Sequence, residues 1–224
     1  MNKTLMLALI GCLSEGLLTL QAQDTNIAGL FSTGQGQTPA GQVDLHYTLN
    51  SAPIGYTDVF VASATPAAWN TLSFANAHWV SAIANANLDV ATGDYTYRLT
   101  FNLENAGSEA LDPLTAHIIG SWCVDNYGML LLNGNLVGTC GSLDTADYSG
   151  FSTPAVIDLA SGFVSGVNTL DFKVSNLTAT PNPSGLVVQF SSATATLVPE
   201  PGTLALSVAG VALLGVWRGR KRLS

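Results

Sequence analysis

The segment Asp94–Leu103 constrains the fold most, because its side chains alternate between polar and apolar without interruption. Successive residues of a β-strand point to opposite faces, so this period of two predicts a strand with one buried face. That face is formed by every second residue, namely Tyr95, Tyr97, Leu99, Phe101 and Leu103.

The same alternation recurs in further short segments, which are Val43–Leu49, Asp58–Ala62, Ala116–Val124, Asn168–Val174 and Leu186–Phe190. Gly, Pro, Asn and Asp separate these segments, and no helical stripe is found between them. Turn chemistry predicts two hairpins, one through Asp125–Gly128 and one through Asn133–Asn135. The chain is therefore predicted to be all-β, a two-sheet antiparallel sandwich of the jelly-roll type.

The N-terminus has the features of a secretory signal peptide. One cation, Lys3, precedes an apolar stretch from Leu5 to Leu20, and Ala22 has the small side chain that signal peptidase requires. This pattern predicts export and cleavage after Ala22. The alternative is a lipoprotein signal in which Cys12 is lipidated. The predicted domains are a signal peptide (1–22), an extended leader that adds an edge strand (23–42), the sandwich (43–197) and a C-terminal signal (198–224).

The C-terminal segment combines a proline pair, an apolar run and a basic end. The run from Thr203 to Trp217 would rise about 22 Å as a helix, which is short of the roughly 30 Å of a bilayer core. It is therefore predicted to be a weak membrane anchor that the terminal cations hold at the cytoplasmic side. The remaining features are Pro199, Glu200 and Pro201 before the run and Arg218, Arg220, Lys221 and Arg222 after it.

This order of features resembles the PEP-CTERM sorting signal of Gram-negative bacteria. The resemblance implies that an exosortase removes the tail while the protein passes to the cell surface or the extracellular matrix. The alternatives are an ordinary tail anchor and a core helix next to a basic end.

The charge of the segment 24–198 excludes several classes of partner. It contains thirteen acidic residues and only two basic ones, Arg98 and Lys173, so its formal net charge is −11. Nucleic-acid binding needs Lys and Arg in numbers that this segment lacks, and an anionic membrane surface would repel it. No nucleic-acid partner is therefore predicted.

Cys123 and Cys140 remain after signal removal and flank the predicted hairpins. In the oxidising compartment that export implies, we expect them to form a disulfide. Closing this 18-residue loop would stabilise the fold by about 3 kcal/mol.

About half of the chain resembles the galactose-binding-like jelly rolls that occur in exported bacterial proteins and in many carbohydrate-binding modules. The matching segments are Gly93–Tyr97, Gly120–Asn126, Leu132–Gly134, Gly166–Asn176 and Asn182–Leu186. The resemblance implies a sandwich that binds sugars, in some members with a structural calcium ion.

Binding sites of that fold usually lie on loops at one end of the sandwich. The predicted glycan-binding residues are Trp122, Asp125, Asn126, Tyr127, Asp147 and Tyr148. A calcium site is predicted from the carboxylates of Asp125, Asp144 and Asp147, because calcium prefers oxygen ligands from such loops. The alternatives are that Trp122 belongs to the core and that Asp125 and Asn126 hydrogen-bond their own turn.

No carboxylate pair, nucleophile elbow or phosphate loop can be recognised, so the protein is not predicted to be an enzyme. The sequence predicts an exported, non-catalytic protein of the cell surface or extracellular matrix that binds polysaccharide. The alternative is a structural surface protein that associates with other proteins and has no glycan ligand.

Overall fold

The computed structural model describes residues 24–104, 110–143, 149–177 and 179–198. Within these residues it has no α-helix, only two 3₁₀ helices, Ala67–Thr71 and Ser149–Phe151. The strands are β1 Asp24–Asn26, β2 Tyr47–Ser51, β3 Phe60–Val61, β4 Val80–Ser81, β5 Gly93–Asn102, β6 His117–Asp125, β7 Tyr127–Leu132, β8 Asn135–Cys140, β9 Ala155–Leu159, β10 Val167–Asn176 and β11 Gly185–Thr196. None of the described helices is long and apolar enough to cross a membrane.

The strands form two antiparallel sheets. The first sheet has the order β3-β4-β11-β6-β9, with β1 also paired to β11, and the second has the order β2-β5-β10-β7-β8. From β5 onward the chain passes from one sheet to the other, except at the hairpin of β7 and β8. The predicted all-β antiparallel sandwich is therefore confirmed.

Strand β5 has the predicted alternation. Tyr95, Tyr97, Leu99 and Phe101 are buried between the sheets, whereas Arg98 lies on the outer face. Strand β10 pairs with β5 in the same sheet and buries its own apolar face beside it. These two longest strands of the second sheet therefore form one side of the core.

The two predicted hairpins have different outcomes. The turn at Asn133 and Gly134 joins the paired strands β7 and β8, and both residues have the positive φ that a tight hairpin turn requires, 51° and 81°. The hairpin predicted through Asp125–Gly128 is wrong, because β6 and β7 belong to different sheets. Asp125 and Asn126 connect the two sheets at this point. Both residues are buried, and both hydrogen-bond to other segments of the chain.

The segment predicted as an extended leader packs on the sandwich. Strand β1 pairs with the end of β11, and Ile27 contributes to the core. The second strand begins later than predicted, at Tyr47, since the Asp44 carboxylate accepts the N–H groups of His46 and Tyr47 and turns the chain before it. The predicted signal peptide and the C-terminal signal from Pro199 onward lie outside the described residues.

Candidate functional site

Trp122, predicted to contact glycan, is fully buried between the sheets. Its ring packs edge to face against Phe172, with ring centroids 5.4 Å apart. The alternative interpretation of Trp122 as a core residue therefore describes its place in the structure, where it offers no surface to a sugar.

Asp125 and Asn126 are also buried, and they form a polar network where the chain crosses between the sheets. The indole N–H of Trp69 donates to the Asp125 carboxylate at 2.8 Å. The Asn126 side-chain oxygen accepts the N–H of Leu177 at 2.9 Å, and the Ser184 hydroxyl donates to the carbonyl of Asp125 at 2.7 Å. Burial raises the pKa of Asp125 to about 6, although the Trp69 hydrogen bond lowers it in part. The two residues thus fix three neighbouring segments to β6.

Of the four remaining predicted site residues, the structure describes only Tyr127. Tyr127 is half-buried at the start of β7, while Asp144, Asp147 and Tyr148 lie outside the described residues. Within the described ranges, no three acidic, histidine or cysteine side chains are grouped so that they could hold a metal. The calcium site depends on Asp144 and Asp147 and stays a prediction.

The predicted disulfide is not formed in the structure, in which Cys123 and Cys140 are free thiols. The physical reason is that the two side chains belong to different apolar clusters. Cys123 packs with Trp69 and Trp79 on the outer side of the first sheet, and Cys140 packs in the central core. Burial raises the pKa of both thiols, that of Cys123 to about 12 with a contribution from the nearby Cys140.

These environments predict two thiols that react slowly in the native protein. At pH 7 both are expected to be protonated, and the thiolate is the reactive form. Alkylation without reductant should label neither cysteine before denaturation and both cysteines after it, as read by mass spectrometry. Protein from the cell surface that shows no free thiol after denaturation would contradict the free-thiol structure and support the disulfide.

A different candidate site lies along β11, in the gap between the place where β4 pairs with it and the place where β1 does. An open groove of about 630 Å³ occupies this gap, within the size range of ligand sites in proteins. We call it the polar groove. Its lining includes the side chains of Asn26, Gln35, Asn76, His78, Phe190 and Ser192.

Thr33 fixes the two walls of the polar groove to its floor. This buried residue donates its N–H to the carbonyl of Val188 at 3.0 Å and its hydroxyl to the carbonyl of His78 at 2.7 Å. The N–H of His78 in turn donates to the carbonyl of Thr33 at 2.8 Å. Next to it, Gly34 has a φ of +63°, and a Cβ there would lie 2.9 Å from that of His78. Glycine therefore permits the close approach of the walls.

A β-bulge shapes the floor of the groove. The register of β11 against β6 shifts between Phe190 and Ser192, which leaves Ser191 as an extra residue and both serines exposed. Gly120 lies opposite Phe190, and a Cβ on it would be 2.5 Å from the carbonyl oxygen of Gln189. A larger residue at position 120 would therefore displace the strand that carries the floor.

The polar groove offers neutral hydrogen-bonding groups. The side chains of Asn26, Asn76, His78 and Ser192 have no hydrogen-bond partner within the described part of the chain. Gln35 uses its side-chain oxygen to accept the N–H of Ser32, so its amide N–H groups stay available. No Asp, Glu, Lys or Arg side chain lines the groove within the described chain. The arrangement is suited to an uncharged ligand that both donates and accepts hydrogen bonds.

Sequence reasoning missed this groove because its residues come from three separated segments, 26–36, 75–78 and 190–193. The available signals were weak. The Gln- and Gly-rich leader and the serine pair after Phe190 both interrupt the strand alternation, but neither indicates that the other lies beside it.

No protein-family model matches the chain, and no curated protein matches it. Two solved glycosidase structures are similar to part of it. The alpha-L-rhamnosidase of Streptomyces avermitilis, complexed with L-rhamnose, is 20% identical over 69% of this chain, with a TM-score of 0.36. The beta-glucosidase from Kluyveromyces marxianus, in complex with glucose, is 13% identical over 50% of it, with a TM-score of 0.25. The chain spans only 13% of the length of each enzyme, and similarity at this level does not indicate a function.

Proposed function

We propose that this protein is an exported, non-catalytic glycan-binding protein of the cell surface or extracellular matrix, and that the polar groove is its binding site. The observation that carries the proposal is the set of unpartnered polar side chains in the groove. Carboxamide, imidazole and hydroxyl groups match sugar hydroxyls, since both sides can donate and accept hydrogen bonds. The half-buried ring of Phe190 adds an apolar surface beside them.

The charge of the protein supports a neutral glycan as the ligand. The segment 24–198 has a formal net charge of −11, and the groove itself has no Lys or Arg among its described residues. An anionic polysaccharide would therefore be repelled and would find no cation to pair with. Neutral polysaccharides meet neither obstacle.

A binding role without catalysis is supported by the groups in the groove. Glycosidases of the usual kind need two carboxyl groups that flank the scissile bond. None of the described residues that line the polar groove carries a carboxylate. Export to the surface, by way of the predicted signal peptidase and exosortase, would place the protein where polysaccharide is abundant.

Affinity electrophoresis of the full chain through gels that contain neutral or anionic polysaccharides tests the proposal. We expect retardation by at least one neutral polysaccharide, such as xylan, galactomannan or a β-glucan, and none by alginate. Asn76→Ala should weaken that binding about fivefold, because a net hydrogen bond contributes about 1 kcal/mol. Asn50→Ala is the matched control, since Asn50 is exposed on β2 of the other sheet.

Two results would overturn the proposal. Release of soluble sugar from a polysaccharide incubated with the wild-type protein would show that the protein is an enzyme. No retardation by any polysaccharide at millimolar sensitivity would favour the alternative, a structural surface protein that acts through protein association.

A further inference from the structure

A second groove, of about 290 Å³, adjoins the polar groove. We call it the aromatic groove. Phe74 and Trp79 give it an apolar surface, and Thr65 and Asn70 give it polar groups. His78 lines both grooves, so the two cavities meet at this residue.

The buried Trp79 ring that lines the aromatic groove is held rigidly before any ligand arrives. Trp79 stacks on Trp69 with ring centroids 4.4 Å apart, and the Trp69 indole is hydrogen-bonded to the buried Asp125 at 2.8 Å. Gly185 permits this packing, because a Cβ there would lie 2.7 Å from the Trp69 ring. A preorganised surface costs little ordering free energy when a ligand binds.

The polar groups of the aromatic groove are also oriented. The Thr65 hydroxyl donates to the side-chain oxygen of Asn70 at 3.0 Å, which directs the amide N–H groups of Asn70 away from Thr65. Asn70 is exposed and Phe74 is half-buried. Apolar C–H faces and hydroxyl edges alternate around a sugar ring, so a ring packed on Phe74 would present hydroxyls to Asn70.

We infer that the aromatic groove is a second subsite of the same glycan site, and that the ligand is an extended neutral chain whose consecutive units occupy both grooves. This inference depends on the proposed function and deepens it. Neither groove is lined by Asp, Glu, Lys or Arg among the described residues, so one uncharged polymer satisfies both. His78, where the grooves meet, would contact the ligand between the two subsites.

The inference predicts that affinity depends on chain length. The full chain is titrated by calorimetry with one- to six-unit oligosaccharides of a polysaccharide that retards it, taken from the xylo-, manno- or cello-series. We expect the affinity to rise about tenfold or more between one unit and six, as the second groove becomes occupied. Equal affinity for one unit and six would overturn the inference while leaving the proposed function intact, and absence of all glycan binding would overturn both.

Variants in the aromatic groove locate the effect. Phe74→Ala and Asn70→Ala should each weaken binding of the six-unit chain about fivefold or more, and should change binding of a single unit less than twofold. Leu136→Ala is the control, because Leu136 is exposed on β8 of the other sheet. Asn70 is exposed, so its variant tests the inference even where Phe74→Ala loosens the fold. An equal loss for one unit and for six in the Asn70 variant would contradict the second subsite.

Discussion

Trp122→Ala is expected to lower the free energy of unfolding by about 3–5 kcal/mol, which is a large part of the stability of a domain of this size. Trp122 is fully buried against Phe172. Its ring also lies so close to the backbone of Gly128 that a Cβ on Gly128 would be 2.6 Å away from the ring. Removal of the indole therefore leaves a cavity that the rigid strands around it fill poorly. Urea unfolding followed by circular dichroism measures the loss.

Two further variants make this prediction specific. The indole N–H of Trp122 has no hydrogen-bond partner within the described chain, so Trp122→Phe loses only packing and should cost less than the alanine variant. Val156→Ala, at a residue 74% exposed on β9, should change stability by no more than about 0.5 kcal/mol. A Trp122→Ala variant as stable as the Val156 control would show that Trp122 is not a core residue.

Much of the sandwich could be predicted because strand alternation is a local signal. Along β5, a polar side chain marks the exposed face of the sheet and an apolar one marks the buried face. Ten residues were therefore enough to predict that strand and its buried face. The turn at Asn133 and Gly134 is equally local, since the positive φ is a property of the two residues themselves.

The predicted loop-end site depended on where Asp125 and Asn126 point, which is not a local property. Asp-Asn beside a strand is typical of an exposed turn. Here the Asn126 amide does donate to the neighbouring Asp125 carboxylate, but the other side-chain and carbonyl partners are Trp69, Leu177 and Ser184, all more than 50 residues away in sequence. The polar groove was missed for the same reason, because its lining comes from three segments far apart in the sequence, two of which are joined by the hydrogen bonds between Thr33 and His78.

The buried Asp125 network predicts a pH-dependent stability. Burial raises the pKa of this carboxyl to about 6 in the folded protein, against 3.8 for the ordinary group, so the fold favours its protonated form. Between these two values the folded state binds more protons than the unfolded state. The stability contributed by the protonated carboxyl is therefore full below pH 4 and is lost as the pH rises through 6, by about 3 kcal/mol in total.

Asp125→Asn isolates this contribution, because the amide is neutral at every pH and similar in shape. Relative to the wild type, the variant should become more stable by about 2 kcal/mol as the pH is raised from 4 to 7, because a small part of the total is already lost at pH 4. Asp89→Asn, at an exposed residue, removes the same charge from the surface and controls for net charge. Urea unfolding at several pH values measures the differences, and a carboxyl carbon titration by NMR reads the Asp125 pKa directly. A midpoint near 4 would mean that the donors Trp69 and Asn126 offset the effect of burial. The carboxylate would then be ionised in the folded protein at neutral pH, and the predicted loss of stability would be absent.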